Sequence, residues 1–181
     1  MPKKQTRRNI KKVLEGTSDS HESAFYKRPG RALTSAMLNA RRNSVEVRDP
    51  ETGERLLIHT HLGEKGKNHL LPSPDDTLGM KKLLPNGVKS HAIALKQNGK
   101  IVGYTFVRIK NPHASLDIGG DGYFCWTRYN ACLHQGDRVN YKKYFDEYLA
   151  VLKKLGLQIR FVPNKEEGYV FQDGNFVMKN L

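Results

Sequence analysis

Apolar and polar residues alternate along several stretches of this chain, and a helical rhythm is longest near its end. In Arg55-Leu56-Leu57-Ile58-His59-Thr60-His61 the two-residue period of a β-strand turns Ile58 and Thr60 toward a packed side and puts His59 and His61 together on the other. Ser44 to Val47 and Arg55 to His61 are expected to form a hairpin around Asp49-Pro50-Glu51-Thr52-Gly53, a turn-rich segment. Ser90 to Gln97 and Lys100 to Lys110 are β-rich and meet at Asn98-Gly99, a strong short-range hairpin signal. Later, Tyr141, Tyr144, Phe145, Tyr148, Leu149, Leu152 and Leu155 recur at helical spacing, which predicts an amphipathic helix over 139–155 ended by Gly156.

The remaining segments are shorter. Ile10 to Leu14 reads as the end of a short helix, followed by the turn-rich Gly16-Thr17-Ser18-Asp19-Ser20 and a strand over His21 to Tyr26. Arg31 to Arg42 is rich in Ala, Leu and Met, with Leu33, Met37 and Leu38 on one stripe, and is expected to be a helix. Residues 62–75 read as a polar loop, and Asp76 to Leu84 as a helix. Gly119-Gly120-Asp121-Gly122 reads as a turn and Tyr123 to Trp126 as a strand; Leu157 to Val162, Tyr169 to Gln172 and Phe176 to Lys179 close the chain as strands, the last two joined at Asp173-Gly174. No internal repeat is evident. The elements predict an α+β fold, a mixed sheet flanked by helices, with a C-terminal helix and strand extension over 111–181.

At 181 residues, with 38% hydrophobic and 9% aromatic positions, the chain is long enough for one domain with a substantial core. It has no apolar run long enough to span a membrane, and Met1-Pro2-Lys3-Lys4 does not lead into the apolar stretch of a secretion signal. The expectation is a cytoplasmic protein, or one delivered by a non-classical route. Cys125 and Cys132 are too few for a disulfide framework and lack Cys-x-x-Cys spacing, so they are read as packing residues. The net charge is +13, and Lys3, Lys4, Arg7, Arg8, Lys11 and Lys12 place six of those charges on residues 1–12 without an acid. Such an arm suits an acidic protein partner or nucleic acid, or is simply a solvated tail.

Chemistry concentrates in one stretch. His59 and His61 share a strand face, and Asp76 opens a helix a short loop later, so three side chains of the type that bind catalytic zinc can converge with a fourth position open. Ser73, three residues before Asp76, suits donation to an oxyanion or capping of the helix. His69, inside the loop, is a rival ligand. His21, His91, His113 and His134 are read as ordinary surface or core histidines.

His59-Thr60-His61 followed by Ser73-Pro74-Asp75-Asp76 resembles the signature of the JAB/MPN/JAMM zinc metallopeptidases: an upstream Glu, His-x-His, a short spacer and Ser-x-x-Asp. The resemblance covers about residues 10–110 and implies a divergent bacterial or phage-like branch with a JAMM/cytidine-deaminase-like core over 13–110. The spacer Leu62 to Pro72 is longer than the family's usual one, a difference that loop entropy tolerates. By resemblance His59, His61 and Asp76 hold Zn2+, Ser73 stabilises the oxyanion, and a Glu is the general base. Glu22 fits that place by order of elements, with Glu46 as runner-up. The implied activity is hydrolysis of peptide or isopeptide bonds, with a protein or peptide substrate such as a ubiquitin-like tail.

Two other classes compete. The basic excess together with Tyr123, Phe124, Trp126 and Tyr129 suits nucleic-acid binding or a metal-dependent nuclease or toxin domain, unless the aromatics pack in the core. A catalytically inactive JAMM-like scaffold would keep the fold without the reaction. The missing His-x-Glu and Pro-Cys-x-x-Cys elements argue against a zinc deaminase.

Overall fold

The computed structural model describes residues 3–42, 44–63 and 69–179. The charged part of the central loop, 64–68, lies outside the described residues, as do the side chains of Lys3, Lys4 and Arg7. The elements run α1 (Lys3–Glu15), β1 (Ala24–Lys27), β2 (Leu33–Ser35), β3 (Met37–Arg41), β4 (Ser44–Val47), β5 (Leu56–Leu62), α2 (Pro74–Leu83), β6 (Ser90–Gln97), β7 (Lys100–Ile109), α3 (Gly119–Gln135), α4 (Arg138–Lys154), β8 (Leu157–Pro163), β9 (Tyr169–Gln172) and β10 (Asn175–Met178). A six-stranded sheet, ordered β2-β1-β5-β6-β7-β8, is antiparallel except at β5–β6, which run parallel. This is an α+β fold with a mixed sheet, as the pattern predicts.

Each face of the sheet has its own helical cover. On one, Leu14 of α1 packs with Ile58, Ala92, Ala94 and Ile101. On the other, Leu70, Leu71 and Met80 join Leu95, Val107, Tyr129, Phe145 and Tyr148 in the main core. Residues 111–181 contribute to the sheet itself, because β8 pairs with β7 along Gly103↔Pro163 to Ile109↔Leu157. Gly103 is a close-approach position: a Cβ there would collide with the Phe176 ring, so the β9–β10 hairpin docks directly onto the sheet backbone.

Three local expectations are corrected. Arg31 to Arg42 is not a helix; it forms β2 and β3. Strand pairing overrides its propensity, since Ala36, fully buried, donates its N–H to the Ala24 carbonyl at 2.9 Å and accepts from Arg48 N–H at 2.8 Å, bridging β1 to the start of a separate hairpin. The second correction follows from this: β4 pairs with β3, not with the histidine strand, which pairs with β1 and β6. Third, Tyr123 to Trp126 lies within α3, which begins at Gly119. Of the glycines there, Gly122 serves contact between helices: a Cβ on it would meet Val151 of α4 at 2.9 Å, so α3 crosses close to α4. The basic arm is also helical as far as it is described, since α1 starts at Lys3.

Lys96 fastens the end of α1 to the sheet. Its side chain is buried, and its Nζ donates to the Thr17 carbonyl at 2.6 Å and meets Asp19 Oδ1 at 2.8 Å. Replacing a buried charge that is fully engaged leaves its partners without a donor, so Lys96→Ala is expected to cost about 2–4 kcal/mol of stability. Urea unfolding measures this, and an unchanged midpoint would show that α1 is held by its apolar contacts alone.

Candidate metal centre

The site forms where the parallel pair begins its crossover. Ligand sites in sheets with parallel strands favour the carboxyl ends of strands, and here β5 carries His59 and His61 toward its end while the following helix, α2, delivers Asp76 at its N-terminus. β1 lies antiparallel to β5 with Ala24 opposite His59, and the bond from Thr60 N–H to the Ser23 carbonyl at 2.8 Å carries that register onward to place Glu22 across from His61. Glu22, His59, His61 and Asp76 thus open on one cavity of about 440 Å³.

The distances define a compact donor set. His59 Nε2 and His61 Nε2 are 3.0 Å apart, and Asp76 lies 3.4 Å from His59 and 3.7 Å from His61. All three ligand atoms fall within 4.8 Å of one another. Two facing imidazole nitrogens need a proton or a cation between them, and with a carboxylate beside them they are donor types that would hold zinc. His61 is prepared for this role: its Nδ1 is 2.7 Å from the His69 carbonyl oxygen, which can only accept, so Nδ1 carries the proton and Nε2 turns its lone pair to the cavity. Burial, then the neighbouring His59, push the His61 pKa down to about 4, so the ring is neutral at physiological pH. The residues present fit a zinc ion.

Asp76 is fixed by a capping box. Its Oδ2 accepts from Ser73 N–H at 2.7 Å and from Ser73 Oγ at 2.9 Å, while Ser73 Oγ accepts from Asp76 N–H at 3.1 Å. The two readings of Ser73 and Asp76, helix cap and metal site, are therefore compatible. Burial raises the Asp76 pKa, but His59, His61 and the bonds from Ser73 outweigh it and hold the carboxyl below its ordinary range. Glu22 is the opposite case: it is 8% exposed, and burial followed by the charge of Asp76 pushes its pKa up to about 9. Glu46, the runner-up base, is exposed on β4 and does not line the cavity. His69 meets His61 through its backbone carbonyl, with the two rings 6.5 Å apart.

Sequence reasoning missed several residues of this cavity. His91 on β6, read as ordinary, is 2% exposed, its Nε2 has no partner among the described residues, and burial pushes its pKa down to about 3. Trp126, Asn130 and His134 line the cavity from one stripe of α3, invisible while that segment reads as a turn and a strand. The parallel register Leu57↔His91 is the signal that would place His91 on the histidine face, and it exists only once the sheet order is known.

These shifts set a pH dependence for the metal-free protein. Glu22 rises from 4.5 to about 9 on folding, so its contribution to stability is complete below 4.5 and is lost as pH rises through 9. His61, His69 and His91 fall from 6.5 to about 4, 4 and 3, so theirs is complete above 6.5 and is lost as pH falls. Chemical denaturation of metal-free Glu22→Gln is expected to show a flattened alkaline limb and an unchanged acid limb. An alkaline limb equal to that of the unsubstituted protein would refute the burial of an uncharged Glu22.

Compared with protein-family models, curated proteins and solved structures, the chain matches none. Among the described residues no helix is long and apolar enough to cross a membrane.

Proposed function

We propose that this chain is a zinc-dependent metallopeptidase that hydrolyses peptide or isopeptide bonds, with a protein or peptide segment as substrate. The observation that carries this reading is the convergence of His59, His61 and Asp76 within 4.8 Å, on the same cavity as a buried carboxyl at Glu22. His59, His61 and Asp76 would hold the ion. When bound, zinc supplies Lewis acidity and makes water acidic enough to react near neutral pH.

The other steps belong to the chain. Glu22, protonated in the metal-free cleft, would be ionised with a cation held beside it, against the burial and the Asp76 charge that raise its pKa. In that state Glu22 accepts a proton from the attacking water and returns it to the leaving nitrogen. Ser73 fixes Asp76 with both its N–H and its hydroxyl. The oxyanion role that the resemblance gives Ser73 requires its hydroxyl hydrogen to turn from Asp76 to the carbonyl oxygen of the substrate.

The test is chelation and reconstitution. Zinc-loaded protein is expected to cleave members of a panel of peptides and ubiquitin-tail isopeptides, to lose that activity on removal of the ion, and to regain it when zinc is restored. A loaded, folded protein that cleaves nothing on the panel would overturn the peptidase reading and leave the metal site to the scaffold alternative.

A further inference from the structure

The sheet face opposite the metal cavity is only partly covered. α1 crosses one end of it through Leu14 and Ile10, and beside that crossing lies a groove of about 910 Å³ lined by Arg8, Lys11, Tyr104, Phe106, Arg160 and Lys165. Tyr104 and Phe106 are two residues apart on β7, so both rings stand on this face; their centroids are 5.9 Å apart at an interplanar angle of 29°. Arg160 is directly opposite Phe106 on β8, with its guanidinium 5.4 Å from that ring. Among the described residues neither Arg8 nor Arg160 forms an ion pair, whereas Lys11 is held by Glu15 and Glu167. Glu166 is the carboxylate that lines the groove, so cations dominate it.

We infer that this second face binds single-stranded nucleic acid, with Tyr104, Phe106 and Arg160 as a stacking platform for bases and Arg8 and Lys165 beside it for phosphates. Paired half-buried rings on a sheet face offer π-faces that any unpaired base can use, and flanking cations follow the backbone. A duplex keeps its bases stacked inside and cannot reach rings on a sheet floor. An acidic peptide would use the cations but leave the ring faces without a partner. The aromatic group singled out in the sequence does not supply such a platform: Tyr129 is fully buried, and Tyr123 and Phe124 are neighbours on a helix. The site is independent of the metal cavity and does not rest on the peptidase reading.

Fluorescence anisotropy of a labelled oligouridylate or oligothymidylate of about a dozen nucleotides tests this with the full chain. Binding is expected, weaker at about 200 mM than at about 50 mM salt. Phe106→Leu, which keeps apolar volume for folding, and Arg160→Ala are each expected to weaken it about tenfold, with Phe106→Trp restoring it. His59→Ala with His61→Ala should leave affinity unchanged. Absence of binding at low salt would overturn the inference, as would binding indifferent to Phe106 and Arg160, which would assign it to the arm alone. Equal affinity for duplex, or equal competition by polyglutamate, would also overturn it in favour of a purely electrostatic surface.

Discussion

Replacing His59 and His61 together by alanine is expected to take the zinc content of the purified protein from about one ion per chain to background. The two imidazoles face each other at 3.0 Å, and after their loss Asp76 alone remains of the donor set, which cannot retain zinc against buffer. The fold should survive, because β5 is hydrogen-bonded through its backbone to β1 on one side and β6 on the other, and neither ladder uses an imidazole. Elemental analysis with circular dichroism separates the possibilities. Zinc retained by a folded double variant would move the site elsewhere, and His91 or His69 would be the first places to look.

Glu22→Gln is expected to keep the ion while lowering hydrolysis by about a hundred- to ten-thousand-fold, the usual contribution of a proton-transferring group. Glu22 is not within the donor cluster, so its removal should not empty the site. Glutamine preserves its volume and is uncharged, as Glu22 itself is at neutral pH with its pKa pushed up to about 9 in the metal-free cavity, so packing gives no reason for the loss. Measured kcat together with zinc content checks this. Full activity would assign proton transfer to another group in the cleft.

The candidate site was legible from the sequence because its information is local. A strand periodicity places two histidines on one face, and a capping serine and aspartate mark the start of a helix; neither inference needs the rest of the fold. Asn98-Gly99 and the apolar stripe of α4 were legible for the same reason. The segment over 31–42 was not: its Ala and Leu content favours a helix in isolation, and the hydrogen bonds of Ala36 to Ala24 and Arg48 that make it extended come from residues over ten positions away. Likewise, Gly119 to Gly122 breaks a helix by propensity, and only the close approach of Val151 on α4 gives Gly122 a reason inside one. The partner of the histidine strand was misread because a hairpin turn suggested β4, whereas the actual neighbours are β1 and β6. His91 shows the same limit, since its position beside the site depends on the parallel register.

The place of β8 in the sheet bears on how the chain can be divided. A protein ended at residue 110 would contain every residue of the donor set, and it would look like a natural minimal unit. It would also leave β7, Lys100–Ile109, with its outer row of backbone donors and acceptors unpaired over a long segment rich in Val, Tyr and Phe. Such an edge recruits other chains and aggregates. β8 takes up that row and is itself the last strand of the sheet, and the chain beyond residue 110 also supplies Trp126, Asn130 and His134 to the metal cavity.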